Sequence, residues 1–177
     1  MITTKKIFIT GVFGSGKTTT AKMIEKNDLL TYLSYDKIHN YDGKCHFNTL
    51  MAHIKQNPEF VMDAIPVNIN SEGEVVWDKF IEWEANNKCD IIVSYCYDIN
   101  VWLQRWEDRE KLKYLKKKKI YDISRETLEG FKNKYLSFYI HNIKLIEKFK
   151  NTITGWDSIN NEFTTIIEMK ERLKWMR

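Results

Sequence analysis

Gly11-Val12-Phe13-Gly14-Ser15-Gly16-Lys17-Thr18 is the stretch that decides how this chain folds. It satisfies GxxxxGK[ST], and its flanks suit the pattern: the apolar run Ile7-Phe8-Ile9-Thr10 enters it as a strand, and a helix leaves it from Thr18. Glycines at 11, 14 and 16 permit positive φ and close approach, so successive backbone N–H groups can converge on phosphate oxygens. The helix N-terminus adds partial positive charge at the same point. On this reading Gly11, Phe13, Gly14, Ser15, Gly16, Lys17, Thr18 and Thr19 cradle a nucleoside triphosphate, with ATP and Mg²⁺ as the expected cofactors. Lys17 bridges the β- and γ-phosphates, Thr18 holds the metal and Thr19 reaches the α-phosphate.

Working outward, the strand character of 7–10 recurs in short β-rich runs at 30–35, 60–63, 90–95 and 152–154. Helical periodicity fills 17–26, 77–87, 101–117, 125–149 and 163–176. Such alternation predicts an α/β fold: a parallel sheet of about five strands with helices on both faces, in three layers. Residues 37–59 mix His, Asn and Gly with one expected helix over 47–55, and read as an acceptor-side insertion. A lid region is expected over about 105–125, running into the basic Lys116-Lys117-Lys118-Lys119.

With 177 residues, 43% of them hydrophobic, one domain spanning 1–177 is expected. The 28 basic against 24 acidic residues give a formal charge of +4, which selects no partner by itself. Cys45, Cys89 and Cys96 are odd in number and lack CxxC spacing, so a reducing cytoplasm is the expected location. No run approaches the roughly 20 apolar residues of a membrane-spanning helix, and no membrane partner is expected.

The second strand runs into Ser34-Tyr35-Asp36, which puts a carboxylate at the carboxyl edge of the sheet beside the phosphate loop. Here the chain resembles the small P-loop kinases related to shikimate, gluconate, adenylylsulfate and polynucleotide 5′-kinases, whose second strand ends in such an aspartate. The resemblance covers roughly residues 5–125 and implies the P-loop NTPase fold. It also implies that Asp36 orients an acceptor hydroxyl and takes its proton. The competing role for Asp36 is a helix N-cap ahead of Lys37-Ile38-His39. His39 is a further candidate on the acceptor side. Phe60-Val61-Met62-Asp63 has the strand-then-aspartate form of a Walker B element, so Asp63 is expected to hold Mg²⁺ or touch the substrate; a loop cap is its alternative.

After the fourth strand, Arg105 and Arg109 look like the Arg-x-x-x-Arg of the lid helix in these kinases. One helical turn apart, both guanidiniums can face the phosphates; surface pairing with Glu107, Asp108 or Glu110 is the alternative. Asp122 and Arg125 follow the basic run, and Phe131, Tyr135, Phe138 and Tyr139 read as a core-facing helix stripe.

Two other classes fail. Asn87-Lys88-Cys89-Asp90 matches the guanine-reading NKxD, but it precedes a strand instead of following one, and no aspartate is followed three residues later by glycine to make DxxG. His39, His46, His53 and His141 contain no HxxxH pair for zinc. Residues 37–60 hold Lys37, Lys44 and Lys55 but no arginine, which argues against a phosphate-bearing acceptor. The expected function is therefore an ATP-dependent phosphotransferase, a kinase acting on a hydroxyl of a small-molecule metabolite or nucleotide-like acceptor. The alternatives are a 5′-hydroxyl polynucleotide kinase, with nucleic acid the less favoured partner, and a regulatory ATPase that transfers no phosphate to an acceptor. The sequence sets no oligomeric state.

Overall fold

The computed structural model describes residues 5–11, 14–38, 47–64, 68–69, 75–76, 78–117, 133 and 153–174. Phe13, His39, the 118–125 part of the expected lid and the expected helix over 125–149, residue 133 apart, lie outside the described residues.

Strand β1 (Lys6–Thr10) forms the middle of a six-stranded sheet. Ile7, Phe8 and Ile9 are all fully buried, as a strand covered on both faces requires. β3 (Phe60–Met62) pairs with β1 in parallel on one side and β6 (Asp90–Tyr95) on the other. Outside them, also parallel, lie β2 (Thr31–Leu33) against β3 and β7 (Ile153–Asp157) against β6. β8 (Glu162–Thr164) closes the edge antiparallel to β7, giving the order β2-β3-β1-β6-β7-β8. A separate two-stranded ribbon pairs β4 (Asn68–Ile69) with β5 (Val75–Val76).

Successive side chains of β1 point to opposite faces and found two cores. Ile7 and Ile9 pack with Ala21 and Ile24 of α1 (Lys17–Asp28), together with Val61, Ile92 and Trp156. Phe8 enters the other core, with Leu50 and Ile54 of α3 (Phe47–Gln56), Phe80 of α4 (Asp78–Asn86) and Trp102 of α5 (Ile99–Lys117). Its ring meets those of Phe60, Phe80 and Trp83 edge-on at 5.2, 4.9 and 5.6 Å. Burying one such side chain stabilises the fold by about 1.5–3 kcal/mol. A single turn, α2 (Tyr35–Ile38), follows β2, and α6 (Ile166–Lys174) ends the described chain. Among the described residues the architecture is thus a three-layer α/β arrangement, whose main sheet has five parallel strands and one antiparallel edge strand.

That edge strand corrects the sequence reading, which ran one helix over 163–176. Phe163 and Thr164 are instead strand, because Phe163 sits opposite Trp156 across β7 with ring centroids 4.7 Å apart. The helix starts afterwards on a capping box. The Glu168 N–H donates to the Thr165 hydroxyl at 3.1 Å, and the Thr165 N–H donates back to Glu168 Oε2 at 2.7 Å. These bonds from Thr165, the backbone one first, hold the Glu168 carboxyl below its ordinary range. The carboxylate half of the box is therefore intact above the usual glutamate pKa and is lost as pH falls through the lowered one. Thr165→Ala should cost about 1 kcal/mol of stability in urea denaturation at neutral pH and leave any activity unchanged.

Candidate active site

Every strand of the parallel set delivers its chemistry at its carboxyl end, where ligands of such sheets bind. Gly11 follows β1, Ser34 and Tyr35 follow β2, Asp63 follows β3, Cys96 to Asp98 follow β6 and Ser158 follows β7. By contrast Asn87 and Lys88 precede β6 at the opposite edge; the Asn87 amide donates to the Trp83 carbonyl at 2.8 Å. The NKxD pattern is thus a helix-to-strand connection far from the loop.

The loop conformation explains its glycines. Gly11, Gly14 and Gly16 hold φ of 145, 76 and 92°, a region costly for other residues. At Gly11 a Cβ would also lie 2.2 Å from the Ser94 carbonyl oxygen and 2.7 Å from Ser15 Oγ, so the loop can rest on β6 only without a side chain there. The Ser94 hydroxyl then ties the loop down by donating to the Ser15 carbonyl at 2.5 Å. Gly16 caps α1 in the left-handed region and supplies no side-chain acceptor to the first turn, leaving those N–H groups for an anion. Ser15 Oγ is buried with no hydrogen-bond partner among the described residues. Lys17 Nζ donates to the Gly11 carbonyl at 2.8 Å, so the ammonium folds across the loop.

On the side of β3, Asp63 gathers three donors while only 8% exposed. Thr18 Oγ1 donates to its Oδ2 at 2.8 Å, the Tyr32 hydroxyl donates to the same oxygen at 2.6 Å, and the Tyr35 N–H donates to Oδ1 at 3.1 Å. Thr18 and Asp63, 45 residues apart, are thereby joined, an oxygen set that suits a hydrated Mg²⁺. Burial first, and then the bond to Asp63, push the Tyr32 phenol up to about 12, so it remains a donor at working pH. The Asp36 backbone lies one residue beyond the N–H held by Asp63; its side chain is outside what is described. Because α2 begins at Tyr35, with the Lys37 and Ile38 N–H groups donating to the Ser34 carbonyl at 3.1 Å each, Ser34 and not Asp36 stands at the cap position.

Opposite Asp63, helix α5 starts two residues earlier than its periodicity suggests, because Asp98 caps it: Oδ1 accepts the Asn100 N–H at 2.8 Å and the Val101 N–H at 3.3 Å. Trp102 in its first turn is fully buried against the glycine loop; a Cβ on Gly14 would meet its Nε1 at 3.2 Å. One turn on, Arg105 grips Ser158 at two points, from NH1 to the hydroxyl at 2.8 Å and from NH2 to the carbonyl at 2.9 Å. Arg109, a further turn along, is exposed and lines the same cavity as Lys17, Thr18 and Thr19. That cavity has a volume of about 670 Å³, and Met23, Trp156, Ser158 and Asn161 also border it.

The Ser158 turn is itself anchored. Asp157, fully buried, accepts the Ile159 N–H at 2.9 Å and the Asn160 amide at 2.8 Å, and pairs with Arg172 of α6. Arg172 also donates to Glu162 at 2.9 Å, and this bond leads in raising its already high pKa. Tyr32, Trp102, Ser158 and Asn161 belong to none of the motifs read from the sequence; the one local signal near them is the turn composition of Asp157-x-x-Asn160. Among the described residues no three His, Cys, Asp or Glu side chains cluster as a metal site, and no helix is long and apolar enough to cross a membrane.

These placements separate the two arginines. If both serve a bound nucleotide, Arg109→Ala should lower kcat by about 10²-fold at near-constant KM for ATP. Arg105→Ala should also raise that KM, because it frees the Ser158 turn. Steady-state kinetics with ATP as the varied substrate distinguish the two patterns, and identical profiles would remove the distinction.

No protein-family model and no curated protein sequence matches the chain. Among solved structures, the crystal structure of a gluconokinase from Sinorhizobium meliloti 1021 is similar over 97% of this chain and 90% of its own, with 12% identity and a TM-score of 0.43.

Proposed function

We propose that this chain is an ATP-dependent phosphotransferase that moves the γ-phosphoryl group to a hydroxyl of a small metabolite or nucleotide-like acceptor. The observation that carries the reading is the Thr18–Asp63 hydrogen bond at the mouth of a glycine loop whose cavity is also lined by Lys17, Arg105 and Arg109. It supports the reading because phosphoryl transfer asks little covalent chemistry of a protein and much positioning of cations and dipoles.

In that reading the loop N–H groups and the α1 N-terminus bind the phosphates. Lys17 leaves the Gly11 carbonyl for the β- and γ-oxygens, and Arg109 approaches the transferring group. Thr18 and Asp63 hold Mg²⁺, which when bound neutralises phosphate charge. The acceptor oxygen bonds to the γ-phosphorus, the bond from phosphorus to the bridging oxygen breaks, ADP leaves, and the hydroxyl proton passes to Asp36. The chain acts as one domain, with 37–59 on the acceptor side and a lid over 105–125.

An acceptor screen by coupled ADP release across nucleosides, nucleotides, sugars and 5′-hydroxyl oligonucleotides tests this. Acceptor-dependent release supports transfer; slow release that no acceptor changes would reject it in favour of a regulatory ATPase. Turnover confined to oligonucleotides, and weakening steeply with salt, would identify a polynucleotide kinase.

A further inference from the structure

Asp63 is fixed more firmly than its position after β3 requires. A carboxylate at a strand end can swing about its terminal torsion. Here Oδ1 is held from the Tyr35 backbone, and Oδ2 receives two hydroxyls, one from α1 and one from β2. The bond from Tyr32, at 2.6 Å, is the shortest of the three. Tyr32 also packs partly buried beside the core under α1, with Met23, so its ring has a second reason to stay in place.

Thr18 has one proton to give and two lone pairs. While that proton points to Asp63, the lone pairs are left for the cavity that Thr18 lines. Thr18 also lies within hydrogen-bonding reach of the Tyr32 oxygen, so its proton stays on this side while the phenol and Oδ2 keep their places. We infer that Tyr32 is the positioning residue for the cation side of this site: its hydroxyl locks the Asp63 carboxylate so that Thr18 presents oxygen, not hydrogen, to a divalent ion. This rests on the reading that a metal–nucleotide complex occupies the glycine loop. It identifies a β2 residue, outside both the loop and the strand-end aspartate, as a determinant of metal affinity.

A purely architectural tyrosine would tie β2 to β3 and do no more. Tyr32→Phe separates the roles, because it keeps the ring and removes only the hydroxyl. The full-length wild type, Tyr32→Phe and Thr18→Ala are titrated with Mn²⁺ in the presence of ADP, free Mn²⁺ being read by electron paramagnetic resonance. ADP affinity in EDTA and the unfolding temperature are measured on the same preparations. Tyr32→Phe is expected to weaken Mn²⁺ binding about tenfold while metal-free ADP affinity stays at the wild-type value. Thr18→Ala is expected to weaken it at least as much. If Thr18→Ala weakens Mn²⁺ binding and Tyr32→Phe does not, whatever happens to its unfolding temperature, the positioning role is overturned and the site survives. If the wild type binds no Mn²⁺ with ADP, or all three bind it alike, the metal–nucleotide site fails and takes this inference with it.

Discussion

Lys17→Ala is expected to leave the chain folded while acceptor phosphorylation falls by about 10³-fold, the scale seen when one preorganised charge directed at a transition state is removed. Folding should survive because Lys17 belongs to neither apolar core, and the Lys17 contact described here is a bond to the Gly11 carbonyl in the loop itself. That loop keeps its other anchors: glycines in positive φ and the Ser94 bond to the Ser15 carbonyl. Nucleotide binding should weaken less than turnover, since the backbone N–H groups and the helix terminus remain. Unfolding curves and ADP release on one preparation decide it, and wild-type turnover in Lys17→Ala would end the phosphotransferase reading.

Asp36→Asn should lower kcat by roughly 10²–10⁴-fold with ATP affinity unchanged, if the carboxylate takes the acceptor's proton. The loss should shrink as the acceptor hydroxyl becomes more acidic. Stability should barely respond, because Ser34 occupies the cap position of α2 and the capping role once open to Asp36 falls away. Asp63→Asn is expected to behave differently. Two hydroxyl donors point at its Oδ2, and an amide nitrogen placed there would meet donors with a donor. Its effect should therefore be a raised Mg²⁺ requirement. ATP binding and phosphorylation measured on both variants, over a Mg²⁺ series, assign the roles. Should phosphorylation survive in Asp36→Asn and collapse in Asp63→Asn at saturating Mg²⁺, the base lies on β3.

The sequence by itself determined the glycine loop, its flanking strand and helix, the alternation that yields a parallel sheet, and Asp63 as a strand-end carboxylate. These are local: the glycines at 11, 14 and 16 that permit positive φ, and the period of apolar residues, are written in neighbouring positions. It also held the Thr165-x-x-Glu168 box that separates β8 from α6, a signal passed over because helical periodicity runs on across it. Only the tertiary structure decided that Tyr32 shares an oxygen with Thr18, that Trp102 lies beneath Gly14, and that Arg105 engages Ser158 while Arg109 remains over the cavity. Those contacts join residues 31 and 53 positions apart, as in Tyr32 to Asp63 and Arg105 to Ser158. Such pairings depend on which strands are neighbours and in what register. Strand order follows from how the two apolar faces of β1 are covered, and that is a property of the whole chain, with no residue pattern of its own.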